Sequence, residues 1–224
     1  MLFVSCHGFR EKLFVSSGMD DAVKIWSWDG RAPFLESAGM AADVACQIET
    51  PLFTSTALHS DYVDCVHWYG DVLISKSVDN CLVMWRPAVD IATLAAGALA
   101  PQTAFVVLRE FDIPNCGLWY IRFALSADLT VMACGNRVGG VHVWRLGDYV
   151  GGAASARMQL KVRVPVRIVQ FDASGEHVLA GLENGTVHVF ALVHSENDDS
   201  PVPEAAAASD SDKSEAGDKM DATL

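Results

Sequence analysis

Ser75-Lys76-Ser77-Val78-Asp79-Asn80 runs into Cys81-Leu82-Val83-Met84-Trp85, and this stretch decides the fold because the chain repeats its form three more times. Ser16-Ser17-Gly18-Met19-Asp20-Asp21 leads to Ala22-Val23-Lys24-Ile25-Trp26, and Cys134-Gly135-Asn136-Arg137-Val138-Gly139 to Gly140-Val141-His142-Val143-Trp144. Ala180-Gly181-Leu182-Glu183-Asn184-Gly185 leads to Thr186-Val187-His188-Val189-Phe190. In each copy a short strand meets a tight turn of Asp, Asn or Gly and returns as a strand ending on an aromatic. The residues three and one before that aromatic are apolar, and Lys24, His142 or His188 stands between them in three copies (Val83 in the other). Such alternation is expected of a strand packed on one face. The dipeptides Asp79-Asn80 and Asn184-Gly185 suit the positive φ angles of hairpin turns.

A first strand ending in an aromatic precedes each hairpin: Val63 to Trp68, Trp119 to Phe123, Val166 to Phe171, and a weaker copy from Val4 to Phe9. Candidate outer strands are Cys46 to Glu49, Phe105 to Leu108 and Met158 to Val162, with none after Phe190. Repeated four-stranded units of this kind are the sequence form of an all-β WD40 β-propeller, with Trp26, Trp68, Trp85 and Trp144 as packing residues. Two insertions interrupt the pattern, Ser37 to Ala57 and the alanine-rich Pro87 to Ala104, where a short helix fits before Gly97 and Pro101. His59, Ser75, Asp79 and Trp85 are spaced like the hydrogen-bonded set that ties a blade together. Four-bladed propellers exist, and a genuine four-blade ring is the alternative, but WD40 propellers usually close with more blades, commonly about seven. The expectation is therefore an open, partial propeller, read as part of a longer ring, with unpaired edges and apolar faces at both ends.

Half of the 224 residues are hydrophobic, enough for a sizeable core. The formal charge of −12 is uneven: from Ser195 onward nine acidic residues face two lysines, which leaves −5 for residues 1–194. The propeller is expected over 1–194 and a disordered acidic tail over 195–224, a solvated segment or a lure for basic partners. With no basic stripe in sequence, direct nucleic-acid binding is not expected. No apolar run spans a bilayer and no secretory signal opens the chain, so a soluble intracellular protein without membrane contact is expected. Cys6, Cys46, Cys65, Cys81, Cys116 and Cys134 lack Cys-x-x-Cys spacing and read as reduced thiols; neither metal nor cofactor is expected.

Catalysis finds no support: the chain has no Gly-x-Ser-x-Gly elbow, phosphate loop or His-Glu-x-x-His. His59, Ser75 and Asp79 imitate a triad, but groups sealed within a blade do not reach substrate. Counting four residues back from Trp68, Phe123 and Phe171 gives Asp64, Trp119 and Arg167, where the first strands begin. One face of the propeller thus gathers an acid, an indole and a guanidinium, near Tyr62, Tyr120 and Arg122. Trp119 and Tyr120 stand outside the packing register. They read either as ordinary packing aromatics or as exposed rings suited to a quaternary ammonium, whose charge is attracted to ring faces.

At these residues the sequence resembles the embryonic ectoderm development (Extra sex combs) family. His59-Ser60-Asp61-Tyr62-Val63-Asp64-Cys65-Val66-His67-Trp68-Tyr69-Gly70-Asp71, Leu118-Trp119-Tyr120-Ile121-Arg122-Phe123 and Gly135-Asn136-Arg137-Val138-Gly139-Gly140 carry the likeness, as do Gly18-Met19-Asp20 and the stretch Pro51 to Leu58. It extends over residues 2 to 191. The resemblance implies a nuclear, non-enzymatic WD40 subunit of Polycomb repressive complex 2, in contact with other Polycomb subunits and a SET-domain histone methyltransferase. It further implies that trimethyl-lysine of a histone H3 tail binds an aromatic cage to which Trp119 and Tyr120 contribute. Met19, Tyr62, Asp64, Arg122 and Arg167 match residues along the peptide path. The family's other two cage aromatics belong to earlier blades, so with half the cage the isolated chain is expected to bind methyl-lysine weakly or not at all. A generic WD40 adaptor, such as a ubiquitin ligase substrate receptor, is the competing reading. Against it, the strand ends Trp26-Ser27, Trp85-Arg86 and Trp144-Arg145 lack the Trp-Asp-x-Arg pattern of such receptors.

Overall fold

A computed structural model of the chain describes residues 2–6, 12–28, 47–96, 102–147 and 156–192. The chain divides into two units, Met1–Leu192 and Val193–Leu224. The second, and with it the expected disordered tail from residue 195, lies outside the described residues.

The first unit is a series of antiparallel sheets, each a meander in chain order. Strands β1 (Leu2–Cys6), β2 (Leu13–Gly18), β3 (Val23–Ser27) and β4 (Phe53–Ser55) form the first sheet. The second holds β5 (Val63–Tyr69), β6 (Val72–Ser77), β7 (Cys81–Pro87) and β8 (Phe105–Asp112). The third holds β9 (Phe123–Leu125), β10 (Val131–Gly135), β11 (Gly140–Arg145) and β12 (Ala156–Gln159). The fourth has three strands, β13 (Val166–Phe171), β14 (His177–Leu182) and β15 (Val187–Ala191).

The repeat read from sequence is a repeat of backbone geometry. Trp26 lies opposite Phe14, Trp85 opposite Leu73, Trp144 opposite Met132 and Phe190 opposite Val178. Five residues before each of these aromatics the chain takes a left-handed conformation: Asp21 (φ 56°), Asn80 (φ 65°), Gly139 (φ 81°) and Gly185 (φ 83°). Those four residues close the same hairpin four times, and Asp, Asn and Gly are the residues that tolerate it.

Apolar side chains between successive sheets form the core. Leu13, Val15, Val23, Ile25 and Phe53 of the first sheet pack on Val63, Val66, Trp68, Leu73 and Trp85 of the second. Ile74, Leu82 and Met84 on the second sheet's other face meet Phe123, Met132 and Trp144. Val141 and Val143 meet Val166, Val169 and Phe171. A closed ring of four sheets has four such interfaces; the described residues form three, so the array is open. At its first end Phe14 stacks on Trp26 and Trp28 at 6.1 and 5.6 Å, on the face turned away from the second sheet. At its last end Val187 and Val189 are 64% and 61% exposed.

Several strand boundaries depart from the sequence reading. The expected outer strand Cys46 to Glu49 is replaced by β4: residues 47–50 have no regular structure, whereas Phe53 pairs with Ile25 and buries its ring 5.2 Å from Trp85. Strand β8 continues past Leu108 to Asp112, following β7 to its far end and burying Phe111. Strand β12 starts at Ala156 and stops at Gln159, where its partner β11 begins at Gly140. Residues 7–9 of the first copy, Gly97 and Pro101 lie outside the described residues. The helix of the second insertion covers Ile91–Ala95, capped by the Asp90 carboxylate, which accepts the Thr93 N–H at 2.9 Å. The largest departure is Trp119 to Phe123, where only Phe123 enters a strand.

Candidate functional site

Residues 113–122 connect β8 to β9 as an irregular segment pinned from several sides. Ile113, Cys116 and Ile121 are buried beneath it. The Asn80 carboxamide oxygen accepts the Cys116 N–H at 2.6 Å, and the Asn80 carbonyl accepts the Ile113 N–H at 3.1 Å. Tyr120 is left-handed, with φ 66°, a conformation disfavoured for a bulky residue and maintained here by its surroundings. The Asp64 carboxylate accepts the Tyr120 N–H at 3.0 Å, and the Arg167 guanidinium donates to the Trp119 carbonyl at 2.5 Å. The Arg122 N–H donates to the Arg167 carbonyl at 3.0 Å. Bonds that would join a strand to its neighbour are thus spent on side chains, and Trp119-Tyr120 forms a turn instead of a strand.

Asp64 and Arg167 reach this turn because their strands are irregular at those residues. The β5–β6 register shifts between Val63 and Cys65, and the β13–β14 register between Val166 and Ile168. A bulge of this kind redirects one side chain out of the alternation. The equivalence of positions 64 and 167 read from sequence is therefore an equivalence of bulges, which position 119 does not share.

Three rings meet at the turn. Trp119 contacts Tyr62 edge-on, with centroids 5.5 Å apart, and Tyr120 at 5.4 Å, likewise near perpendicular. Trp119 is half-buried, while Tyr62 and Tyr120 are each 40% exposed. Met19 is half-exposed on the β2–β3 turn and takes no part in these ring contacts. Arg122 is half-buried. Burial, together with the Arg122 charge, lowers the pKa of His67 to about 4, so this imidazole is neutral near pH 7.

Asp64 is not on the open surface but beneath it. Its carboxylate accepts a hydrogen bond from Lys76 at 2.9 Å, and both side chains are closed to solvent. Burial raises the Asp64 carboxyl above its usual range, against the pull of the Lys76 ammonium and the Tyr120 N–H. Asp64 therefore acts on the site through Tyr120. Sequence reading missed Lys76; its signal is that Ser75 and Ser77 point to one face of β6, which sends the lysine between them to the other.

The residues spaced as a blade-tying set lie within bonding reach of one another. The Ser75 hydroxyl is 2.8 Å from His59 Nε2 and accepts the Trp85 indole N–H at 3.0 Å. His59 Nδ1 stands 3.6 Å from Asp79. Partial burial pushes the Asp79 carboxyl up, but the His59 and Ser60 hydrogen bonds outweigh it and hold the pKa at about 2. His59 and Ser75 are buried, which suits joining strands rather than turnover. Among the described residues no group of three His, Cys, Asp or Glu side chains is placed to hold a metal ion, and no helix is long and apolar enough to cross a membrane. Cys65, Cys81, Cys116 and Cys134 are free thiols.

No protein-family model matches the chain. Polycomb group protein FIE1 of Oryza sativa subsp. japonica is 33% identical over 193 residues, covering 84% of this chain and 49% of its own length. Polycomb protein esc of Drosophila melanogaster is 30% identical over 190 residues, covering 80% of this chain and 44% of its own. The chain spans about half the length of the curated relatives it matches. Among solved structures, a chain of the Chaetomium thermophilum polycomb repressive complex 2 superposes with a TM-score of 0.66 at 14% identity, covering 84% of this chain and 61% of that one. The WD40 β-propeller domain of Doa1 superposes with a TM-score of 0.58 at 17% identity, covering 84% and 50%. The fold is thereby that of a WD40 propeller, here an open one.

Proposed function

We propose that this chain, a homologue of the Polycomb group proteins of the FIE and esc type, is a non-catalytic, nuclear WD40 subunit of a Polycomb complex that reads methyl-lysine in a histone H3 tail and supports a SET-domain methyltransferase partner. The observation that carries this reading is the contact of Tyr62, Trp119 and Tyr120 at an exposed turn held by Asp64 and Arg167. Two phenols edge-on to one indole leave ring faces available to a cation, and each such face contributes about 0.5–2 kcal/mol, more as water is excluded. A quaternary ammonium suits this site better than a plain ammonium, because it carries no N–H donors to leave unpaired among rings. Tyr62, matched by resemblance to the peptide path, joins the cage itself in this reading. A chain of the structurally similar Chaetomium complex comes from a structure in complex with H3K27me3.

The experiment is a fluorescence titration of the complete propeller that contains this chain with an H3 tail peptide in trimethylated and unmodified forms. Preference for the trimethylated peptide, lost in Trp119→Ala and reduced in Tyr62→Ala, is the expected result. Equal binding of the two peptides, or a preference that survives Trp119→Ala, overturns the reading.

A further inference from the structure

A second surface lies on the third sheet and the connection that follows it, and it reaches Asn115 of the segment that carries the aromatic turn. Arg157 and Gln159 of β12, with Leu160, Lys161 and Arg163 beyond it, line a cleft of about 480 Å³ together with Val138 of the β10–β11 turn. The sequence conceals this cluster, because Arg157, Lys161 and Arg163 are diluted among apolar residues and the propeller carries a net −5. Folding turns all three onto one concavity.

Three cations elsewhere among the described residues stand in ion pairs. Lys24 is paired with Asp20, Lys76 with Asp64, and Arg167 with Glu183. Arg157, Lys161 and Arg163 are exposed and pair with no described acid. Like charges gathered in a concavity reinforce one another's field, and each destabilises the compact chain slightly until an anion arrives. The Gln159 amide donates to the Val138 and Leu160 carbonyls at 2.8 and 3.2 Å, which ties the β12 end to the turn across the cleft.

We propose that this cleft is a docking groove for an acidic peptide segment of a partner protein. Guanidinium groups pair with carboxylates in two-pronged fashion, and clusters of arginine are a recurrent means of holding acidic motifs. Val138 and Leu160 supply an apolar strip for the aliphatic parts of such a segment. Nucleic acid fits less well: none of the lining residues is aromatic, so no base has a stacking platform, and the acidic remainder of the propeller repels a long polyanion.

The test uses the whole chain and a fluorescein-labelled peptide of alternating glutamate and leucine, with a lysine-for-glutamate peptide and a single-stranded RNA as comparators. Binding of the glutamate peptide alone, weakening as salt rises, is expected. The double variant Arg157→Glu with Arg163→Glu reduces it at least about tenfold. Arg86→Glu, on β7 and outside the cleft, leaves it unchanged. Arg157 and Arg163 are exposed, so an unaltered melting temperature of the double variant shows that the loss belongs to the cleft. Absence of peptide binding, binding indifferent to the double variant, or tighter binding of RNA through the same residues overturns the proposal.

Discussion

The second and fourth sheets are written in the same residue pattern and live in opposite environments. In the second, Leu82 and Met84 stand three and one before Trp85, and all three are buried. In the fourth, Val187 and Val189 stand three and one before Phe190, yet both valines are largely exposed and Phe190 is only half-buried. The pattern encodes two apolar faces per sheet: the aromatic faces the preceding sheet, and the residues three and one before it face the next. A neighbour on each side turns both faces into core. The described part of the fourth sheet has a neighbour on one side only, so half its coded core meets solvent. Burial in a repeat array belongs to the interface between repeats, not to the strand that carries the residue.

The sharpest way to break this comparison is to truncate the two aromatics. Trp85→Ala removes a ring packed between Phe53 and Phe105 and leaves the Ser75 hydroxyl without its indole donor. A loss of about 3–5 kcal/mol is expected by chemical denaturation. Phe190→Ala, in the same register position, loses no more than about half of that, because its ring is already half in water. Equal losses would show that position within the sheet, rather than the neighbour, sets the energetics.

Next in size is the ion pair between β5 and β6. Lys76→Met strands the Asp64 carboxylate in a closed site and costs about 3 kcal/mol or more. Combining it with Asp64→Asn recovers most of that loss, since no charge is then left buried. Replacing Arg167 by Met breaks only part-exposed contacts and costs less than about 1 kcal/mol of stability. Both Lys76→Met and Arg167→Met loosen the Trp119-Tyr120 turn, a change visible as a shift in tryptophan emission.

Acid separates the sheets by titration. Burial lowers the pKa of His67 in the second sheet and His142 in the third to about 4 each, with nearby arginines adding to the effect. The unfolded chain takes up these protons near the ordinary histidine value of about 6.5. Between roughly pH 6.5 and 4 the unfolded state therefore binds more protons, and stability falls as pH falls. In the fourth sheet His177 pairs instead with Asp172, whose pKa is lowered to about 2, first by the His177 hydrogen bond and then by Ser174. That depressed carboxyl contributes stability above about pH 4, lost as pH falls toward 2. Stability measured against pH in His67→Gln and His142→Gln is expected to flatten between pH 6.5 and 4. An unchanged slope would mean that neither imidazole is kept neutral by its sheet.

The repeat was legible in sequence because hairpin chemistry is local. Asn80 and Gly185 announce their turns, and the apolar spacing before each aromatic announces strands. The open ends were legible too, because four copies fall short of the commonly closed number. The outer strands were less so: Phe53 is chosen over Glu49 by what lies across the gap, and that partner is far away in sequence. The candidate site was legible in composition but not in conformation. Trp119 and Tyr120 stood out as misplaced aromatics, yet only the bonds from Asp64 and Arg167 reveal a turn where the repeat calls for a strand. Lys76 and the basic cleft were hidden, since each depends on which face a side chain takes after the sheets are stacked.

The smallest expected effect is the most discriminating about the open face. Val187→Thr with Val189→Thr places hydroxyls where water already reaches, so stability changes by less than about 0.5 kcal/mol. The equivalent pair in the second sheet, Leu82→Thr with Met84→Thr, puts hydroxyls into a dry interface with the third sheet and costs several times as much, about 2–4 kcal/mol. The fourth-sheet variant also has a second readout, because Ile168, Val187 and Val189 form an apolar patch beside an exposed strand edge, the combination that promotes association between chains. Light scattering on concentration should fall in that variant while its denaturation midpoint stays in place. If the midpoint drops as far as in the second-sheet variant, the valines are covered in solution, and the fourth sheet has a neighbour after all.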